Sequence, residues 1–281
     1  MINNTYLANL EINTALARRV LVNFIRAEVH KVGFRRAVLG ISGGVDSALV
    51  AYLTAEALGP ENVLGLRMPY RSSSDDSLEH ARLVIDALGI HHETIDITPM
   101  VDPLLERFPD MSATRRGNIM ARQRMIILFD QSAAFNALVI GTGNKTEILL
   151  GYSTLFGDSA AALHPLGDLY KHQLRQLARA VGVPEVIVNK PPSADLWPGQ
   201  TDEGELGFTY DLADQLLYLM VDLRYTVDEA VEAGFDPEFV RRVWERVRQM
   251  QFKRVTPLIP KLSTRTIGLD FLYLRDWGET G

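Results

Sequence analysis

The run Ala37-Val38-Leu39-Gly40-Ile41-Ser42-Gly43-Gly44-Val45-Asp46-Ser47 decides the fold of this chain. Its first three residues make a short apolar strand, the glycines make a turn, and residues 48–58 read as the helix that follows. Two adjacent glycines let the backbone close on an anion. Ser42 and Ser47 add hydroxyl donors at a helix N-terminus, where unpaired N–H groups and the helix dipole favour negative charge. Asp46 breaks this pattern, since a carboxylate stands where phosphate oxygens would sit. The two are compatible when a divalent cation lies between them. Gly40, Ile41, Ser42, Gly43, Gly44, Val45, Asp46 and Ser47 thus form a candidate pyrophosphate site with magnesium. The lysine of a G-x-x-x-x-G-K-[ST] loop is missing, so that familiar reading fails. The plain alternative is an incidental glycine-rich turn between a strand and a helix.

Working outward, strands and helices alternate. Residues 9–30 carry a helical apolar stripe (Leu10, Leu16, Val20, Phe24), followed by strands at 62–68, 92–97 and 137–141 and helices at 75–88 and 118–136. This rhythm predicts a doubly wound parallel α/β sheet with ligands at the carboxyl ends of its strands. A further helix is expected over 170–181. Residues 184–207 differ, because Pro191, Pro192, Pro198 and three glycines interrupt any period, as in an active-site lid. Residues 210–220, 226–233 and 237–251 read as a small helical C-terminal part. We divide the chain 1–281 as one catalytic domain: an N-terminal helix (1–33), an α/β core (34–183), a lid loop (184–209) and the helical part (210–281).

Composition narrows the chemistry. The chain of 281 residues is long enough to bury a substantial core without cross-links, and its net charge of −6 argues against a general nucleic-acid surface. No apolar stretch approaches the length of a membrane span, and the N-terminus is polar, so a cytoplasmic protein is expected. Cysteine is absent altogether. That removes disulfides, thiolate metal sites and any cysteine nucleophile, including that of a glutaminase. If the chain transfers nitrogen, it must take ammonia from solution or from a partner chain, such as a separate glutaminase. The six histidines show no metal-ligand spacing and read as structural.

A second glycine turn, Gly141-Thr142-Gly143-Asn144-Lys145-Thr146-Glu147, ends the fourth strand and would emerge on the same sheet edge as the first. Thr142 offers a hydroxyl to a nucleotide, and Glu147 a second hard oxygen. Magnesium prefers few protein carboxylates completed by phosphate and water, so Asp46 with Glu147 is a sensible pair. The ordinary alternative for Glu147 is an exposed acid at a helix N-terminus.

The spelling Ser-Gly-Gly-x-Asp-Ser resembles the loop of the N-type ATP pyrophosphatases. Taken with residues 141–147, with Gly151-Tyr152-Ser153-Thr154-Leu155-Phe156-Gly157-Asp158, with Pro165-Leu166-Gly167-Asp168-Leu169-Tyr170-Lys171 and with Pro192-Ser193-Ala194-Asp195-Leu196, the chain resembles the ammonia-dependent NAD synthetases from about residue 34 to 254. That resemblance implies a Rossmann-like fold of the adenine nucleotide alpha hydrolase type, a homodimer, and adenylation of deamido-NAD by ATP before amination by ammonia. By position it implies that residues 40–47, Thr142, Lys171 and Ser193 bind ATP. Asp46 and Glu147 would hold magnesium, Arg122 and Lys253 would contact deamido-NAD, and Lys171 would stabilise the departing pyrophosphate. Competing readings are a solvated helix-start residue for Lys171, a surface ion pair for Arg122 and a charge run for Lys253. The likeness departs at Leu155, Ala162 and Phe252, where many ammonia-dependent members carry Lys, Asp and His. Residues 153–158 are instead similar to the synthetase domain of glutamine-dependent enzymes. Another adenylating pyrophosphatase, tRNA-modifying or GMP-synthetase-like, or a catalytically silent nucleotide-binding subunit, are the alternative functions.

Overall fold

Four strands, β1 (Arg36–Gly40), β2 (Val63–Arg67), β3 (His91–Thr94) and β4 (Ala137–Val139), pair in parallel in the order β3-β2-β1-β4. The computed structural model describes residues 5–271 except 198 and 256. Val38 at the centre of β1 lies opposite Leu64 on one side and Val139 on the other. The chain winds outward from β1 through β2 to β3, then crosses back to place β4 on the opposite flank of β1. Winding direction reverses between β1 and β4, and a crevice at the carboxyl ends beside such a reversal is where open α/β sheets take ligands. Both glycine turns leave the sheet at this point.

Alternation along the buried strands fixes a layer of helices on each face. Ala37 and Leu39 pack with Val22 and Ile25 of α1 (Thr14–Lys31), Leu49 and Leu53 of α2 (Val45–Leu58) and Val84 of α3 (Asp75–Leu88). Val38, Leu64 and Leu66 point the other way, onto Val101 of α4 (Thr98–Arg107) and Met120 and Ile127 of α5 (Ala113–Phe135). β3 is exposed along its whole length and reads His91-His92-Glu93-Thr94, a polar edge that discourages pairing with another sheet.

Beyond β4 come α6 (Lys145–Leu150), α7 (Lys171–Val181), α8 (Glu185–Val188) and α9 (Asp202–Leu206). The C-terminal part is helical: α10 (Tyr210–Leu217), a π-turn over Tyr218–Asp222, α11 (Val227–Glu232) and α12 (Pro237–Gln249). It has its own core of Tyr210, Leu217, Phe239 and Val243, closed against Leu150 at the end of α6 and Tyr170 just before α7. This second core presses the C-terminal helices onto the elements that carry the second glycine turn.

Four elements depart from the sequence reading, the first being the N-terminal helix, which begins only at Thr14, Leu10 lying in a separate 3-10 turn packed on the C-terminal core. α4 was concealed by Pro99 and Pro103, but Pro99 sits in the first turn, where its missing N–H is no loss. The proline-rich segment 184–207 is not one loop, since it contains α8 and α9, the latter capped by the Thr201 hydroxyl accepting from Gly204 N–H at 3.2 Å. The long helix begins at Ala113, five residues before the expected start, because Ser112 caps it through Arg115 N–H.

Candidate active site

At the first helical position of α7, Lys171 is 2% exposed, which removes the reading of a solvated helix-start residue. Its ammonium donates to Oδ2 of Asp46 at 2.6 Å and to Oε1 of Glu147 at 3.1 Å. The Nζ also lies 5.2 Å from the centre of the Tyr210 ring. A buried ammonium is tolerated only when paired and hydrogen-bonded, and here two carboxylates from α2 and α6 do this. Burial alone would depress the Lys171 pKa, but the charges of Asp46 and Glu147 outweigh it and hold the pKa above its ordinary value. Glu147 is raised, to about 7, first by burial and then by the nearby Asp46 charge, with Lys171 opposing. The lysine therefore stays charged and its partners share one local field.

Asp46 and Glu147 are also linked through Asn144, which donates from Nδ2 to Oδ1 of Asp46 at 2.8 Å. Asn144 is the N-cap of α6: its Oδ1 accepts from Glu147 N–H at 3.0 Å, and Glu147 Oε2 accepts from Asn144 N–H at 3.4 Å. This reciprocal capping box holds the Glu147 side chain back toward the turn. Glu147 is thus at a helix N-terminus, as its ordinary alternative held, yet its side chain is 18% exposed and faces a buried cation.

The first glycine turn is held by its own hydroxyls. Ser42 N–H donates to Ser47 Oγ at 3.2 Å, the two hydroxyls are 3.0 Å apart, and Gly44 N–H donates to Ser42 Oγ at 3.3 Å. The N-cap of α2 is Gly44, which has no side chain to cap the first turn, so that end of the helix keeps its anion-attracting character. Gly43 has φ of +79°, a conformation that side chains rarely adopt. In the second turn, a β-carbon at Gly141 would fall 2.5 Å from the His164 ring, so only glycine fits there. Thr142 is half-buried in this turn, between Gly141 and the α6 cap.

The remaining residues expected at the site lie around this centre. Ser193 donates to Gln200 C=O at 2.7 Å and accepts from Asp195 N–H at 3.0 Å, closing a turn in the segment between α8 and α9. That segment is docked: Asp195 Oδ2 accepts from Ser74 N–H at 3.0 Å, and Leu196 packs against the core cluster on the α5 face. Arg122 donates from Nε and Nη2 to Leu155 C=O at 3.3 and 3.2 Å. Lys253 donates to the carbonyls of Gly151 and Ser153 at 2.8 and 2.6 Å. The two basic residues, 131 positions apart in sequence (253 less 122), hold opposite ends of one segment, 151–155. Among the described residues, Arg122 forms no carboxylate ion pair of the kind its surface-bridge reading requires.

Sequence reasoning missed Asn144, Thr146, Tyr210 and Asp214. Asn144 had a legible signal, the spacing of Asn-x-x-Glu in a capping box. Thr146, which donates to Asp214 Oδ1 at 2.6 Å across 68 residues, had none.

An open parallel sheet with an uncapped helix N-terminus at its winding reversal is the architecture of nucleotide-binding α/β proteins. The family model described as NAD synthase matches residues 17–257, from α1 to beyond α12, and the chain belongs to that family. It is 57% identical over 273 residues to the NH(3)-dependent NAD(+) synthetase of Trichlorobacter lovleyi, covering 97% of this chain and all of that one. Among solved structures it is similar to the NMN synthetase of Francisella tularensis, with TM-score 0.78 and 32% identity over 89% of this chain and 99% of that one. The NH3-dependent NAD synthetase of Campylobacter jejuni, in complex with the nitrate ion, superposes with TM-score 0.76 at 32% identity, over 89% of this chain and 100% of that one. Among the described residues, no helix is long and apolar enough to cross a membrane.

Proposed function

We propose that this chain forms NAD from deamido-NAD, ATP and ammonia. A nicotinate carboxylate oxygen attacks the α-phosphorus of ATP, the bond to the β-phosphate breaks, and pyrophosphate leaves. Ammonia then attacks the acyl carbon of the adenylate, loses a proton, and expels AMP. The observation that carries this reading is the ammonium of Lys171 between Asp46 and Glu147, beside the Gly40–Ser47 turn. A nucleotide binder without phosphoryl chemistry has no need of a buried cation and two carboxylates at this place, so the silent-subunit reading is not favoured.

Within this reading, the Gly40–Ser47 turn and the N-terminus of α2 that Gly44 leaves without a side-chain cap hold the ATP phosphates. Lys171 meets the charge that builds on departing pyrophosphate. Thr142 and Ser193 flank the nucleotide, and Arg122 and Lys253 fix the segment against which deamido-NAD lies. The donor set fits magnesium: Asp46 and Glu147 are hard oxygen ligands with 18% of each side chain still accessible, and no larger carboxylate or histidine cage forms among the described residues. Magnesium, when bound, neutralises phosphate charge and aligns the α-phosphorus for attack.

Leu16, Val20 and Phe24 on α1, and Ile126 and Phe129 on α5, are apolar and exposed, which supports a homodimer. A cytoplasmic setting suits a cysteine-free chain that consumes ATP. Incubation with ATP, magnesium, ammonium and deamido-NAD tests the reading. NAD, AMP and pyrophosphate in equal amounts are expected. Release of ADP and phosphate, or turnover of nicotinate mononucleotide in place of deamido-NAD, would overturn it.

A further inference from the structure

Helix α7 starts at Lys171, and the N–H groups of its first two residues are held from outside the helix. Lys171 N–H donates to Thr146 Oγ at 3.0 Å, and His172 N–H donates to Asp214 Oδ2 at 2.8 Å. The Thr146 hydroxyl in turn donates to Asp214 Oδ1 at 2.6 Å. Both carboxylate oxygens of Asp214 are therefore acceptors, and the side chain is fully buried. The hydrogen-bond direction is fixed along the path: backbone of Lys171 to Thr146, Thr146 to Asp214.

We propose that Asp214 is a positioning residue for the reaction, acting through Thr146 and the first turn of α7 to set where the Lys171 side chain begins. The inference rests on the reading that Lys171 serves adenyl transfer. Three elements meet here. α6 supplies Thr146, one residue before Glu147. α7 supplies Lys171, and α10, from the C-terminal core, supplies Asp214. A shift of this junction would move the ammonium relative to Asp46 and Glu147 together, because Thr146 and Glu147 share a helical turn. Burial raises the Asp214 pKa, to about 6, yet both of its oxygens accept hydrogen bonds, the pattern of an ionised carboxylate. Asparagine has the same shape but one acceptor. Either His172 N–H or the Thr146 hydroxyl then loses its partner, and the relay to Lys171 cannot run in its present direction.

The test is steady-state kinetics with ATP, ammonium and deamido-NAD, alongside thermal melts, on Asp214→Asn, Thr146→Val, Thr146→Ser and the double variant Asp214→Asn/Thr146→Val. Asp214→Asn and Thr146→Val should each lower kcat by about tenfold or more, with KM for ATP within about twofold, since the loss falls on the transition state. Thr146→Ser should recover most of the kcat lost in Thr146→Val. The double variant should be no slower than the worse single one, because both break one path. A residue that only supports the fold would lower Tm and leave the kcat of the folded fraction unchanged. Near-normal kcat in folded Asp214→Asn would overturn the proposal, as would additive losses. Should Asp214→Asn not fold, the valine and serine pair at Thr146 decides alone. Lys171→Met separates the two readings: if it is active, the adenyl-transfer role fails, and if it is dead while Asp214→Asn is not, only the positioning role fails.

Discussion

Gly43 and Ser77 are in backbone contact so close that a β-carbon on Gly43 would lie 2.2 Å from the Ser77 carbonyl oxygen. The contact joins the first glycine turn to α3 and fixes the turn from outside. It also explains why the sequence must have glycine here twice over, by space and by the φ of +79°.

Gly43→Ala should therefore cost stability and activity together. A residue forced into this conformation against an immovable carbonyl costs about 1–3 kcal/mol. Turnover should fall further than stability predicts, because relief of the clash displaces the turn and with it the start of α2. Urea denaturation with activity assays on the folded protein checks it. An alanine variant with normal turnover would show that the turn does not hold phosphate.

The winding sheet was legible in the sequence because its signals are local: a strand of three apolar residues, two glycines and a helix are adjacent at 37–58. The same holds for Asp46, Glu147 and Lys171, each embedded in a recognisable run. What could not be read was long-range partnership. Asp214 meets Thr146 and His172 only because a C-terminal core folds back on α6, and nothing near residue 214 marks it. Arg122 and Lys253 were legible as basic residues, but their shared grip on segment 151–155 is a tertiary fact. α4 was hidden for another reason: two prolines in ten residues outweigh its apolar stripe in any local reading.

Asp46→Asn and Glu147→Gln should each reduce turnover by about a hundredfold or more, as expected for groups that act as a unit. Each variant should stay folded, because the remaining carboxylate still pairs with Lys171. The double variant should lose much less than the product of the two. It should also be markedly less stable, since it strips the buried lysine of both carboxylates that hydrogen-bond it, a defect worth about 3–5 kcal/mol. Full activity in either single variant would remove that residue from the site.

Nitrogen should come from ammonium. No cysteine is present to act as a glutaminase nucleophile, so the purified chain should make NAD with ammonium and ignore glutamine. NAD formation from glutamine by the chain alone would refute this. Activity with glutamine that appears only on adding a second protein would identify a separate glutaminase.

The pair His172 and Asp211 should give stability that depends on pH. The Asp211 hydrogen bond, at 3.3 Å, raises the His172 pKa above its ordinary value of 6.5, and the same contact lowers that of Asp211. For the histidine, the gain is fully present below its unfolded pKa and is lost as pH rises through the raised folded value. For the aspartate, it is lost only as pH falls through its lowered value. The pair thus stabilises from the ordinary carboxylate range up to about 6.5 and fades above. Both side chains are partly solvated, so the effect is at most about 1 kcal/mol. His172→Gln should cost more stability at pH 6 than at pH 9 in matched urea titrations. Equal costs would show that the contact carries no charge.

The exposed apolar residues of α1 and α5 should be covered in solution by a second copy of the chain. Val20 is 54% exposed beside Leu16 and Phe24 on α1, and Ile126 is 54% exposed beside Phe129 on α5, two apolar helix faces on opposite sides of the sheet. A two-fold interface places the same patch on both partners, so one substitution acts twice. Light scattering at micromolar concentration should return twice the chain mass. Val20→Asp or Ile126→Asp would bury two charges across the axis and should return the monomer mass with the fold intact. Neither residue contacts the centre at Lys171, so loss of turnover on dissociation would show that the partner completes the deamido-NAD site. A wild-type monomer would leave the exposed stripe without this explanation and end the dimer reading.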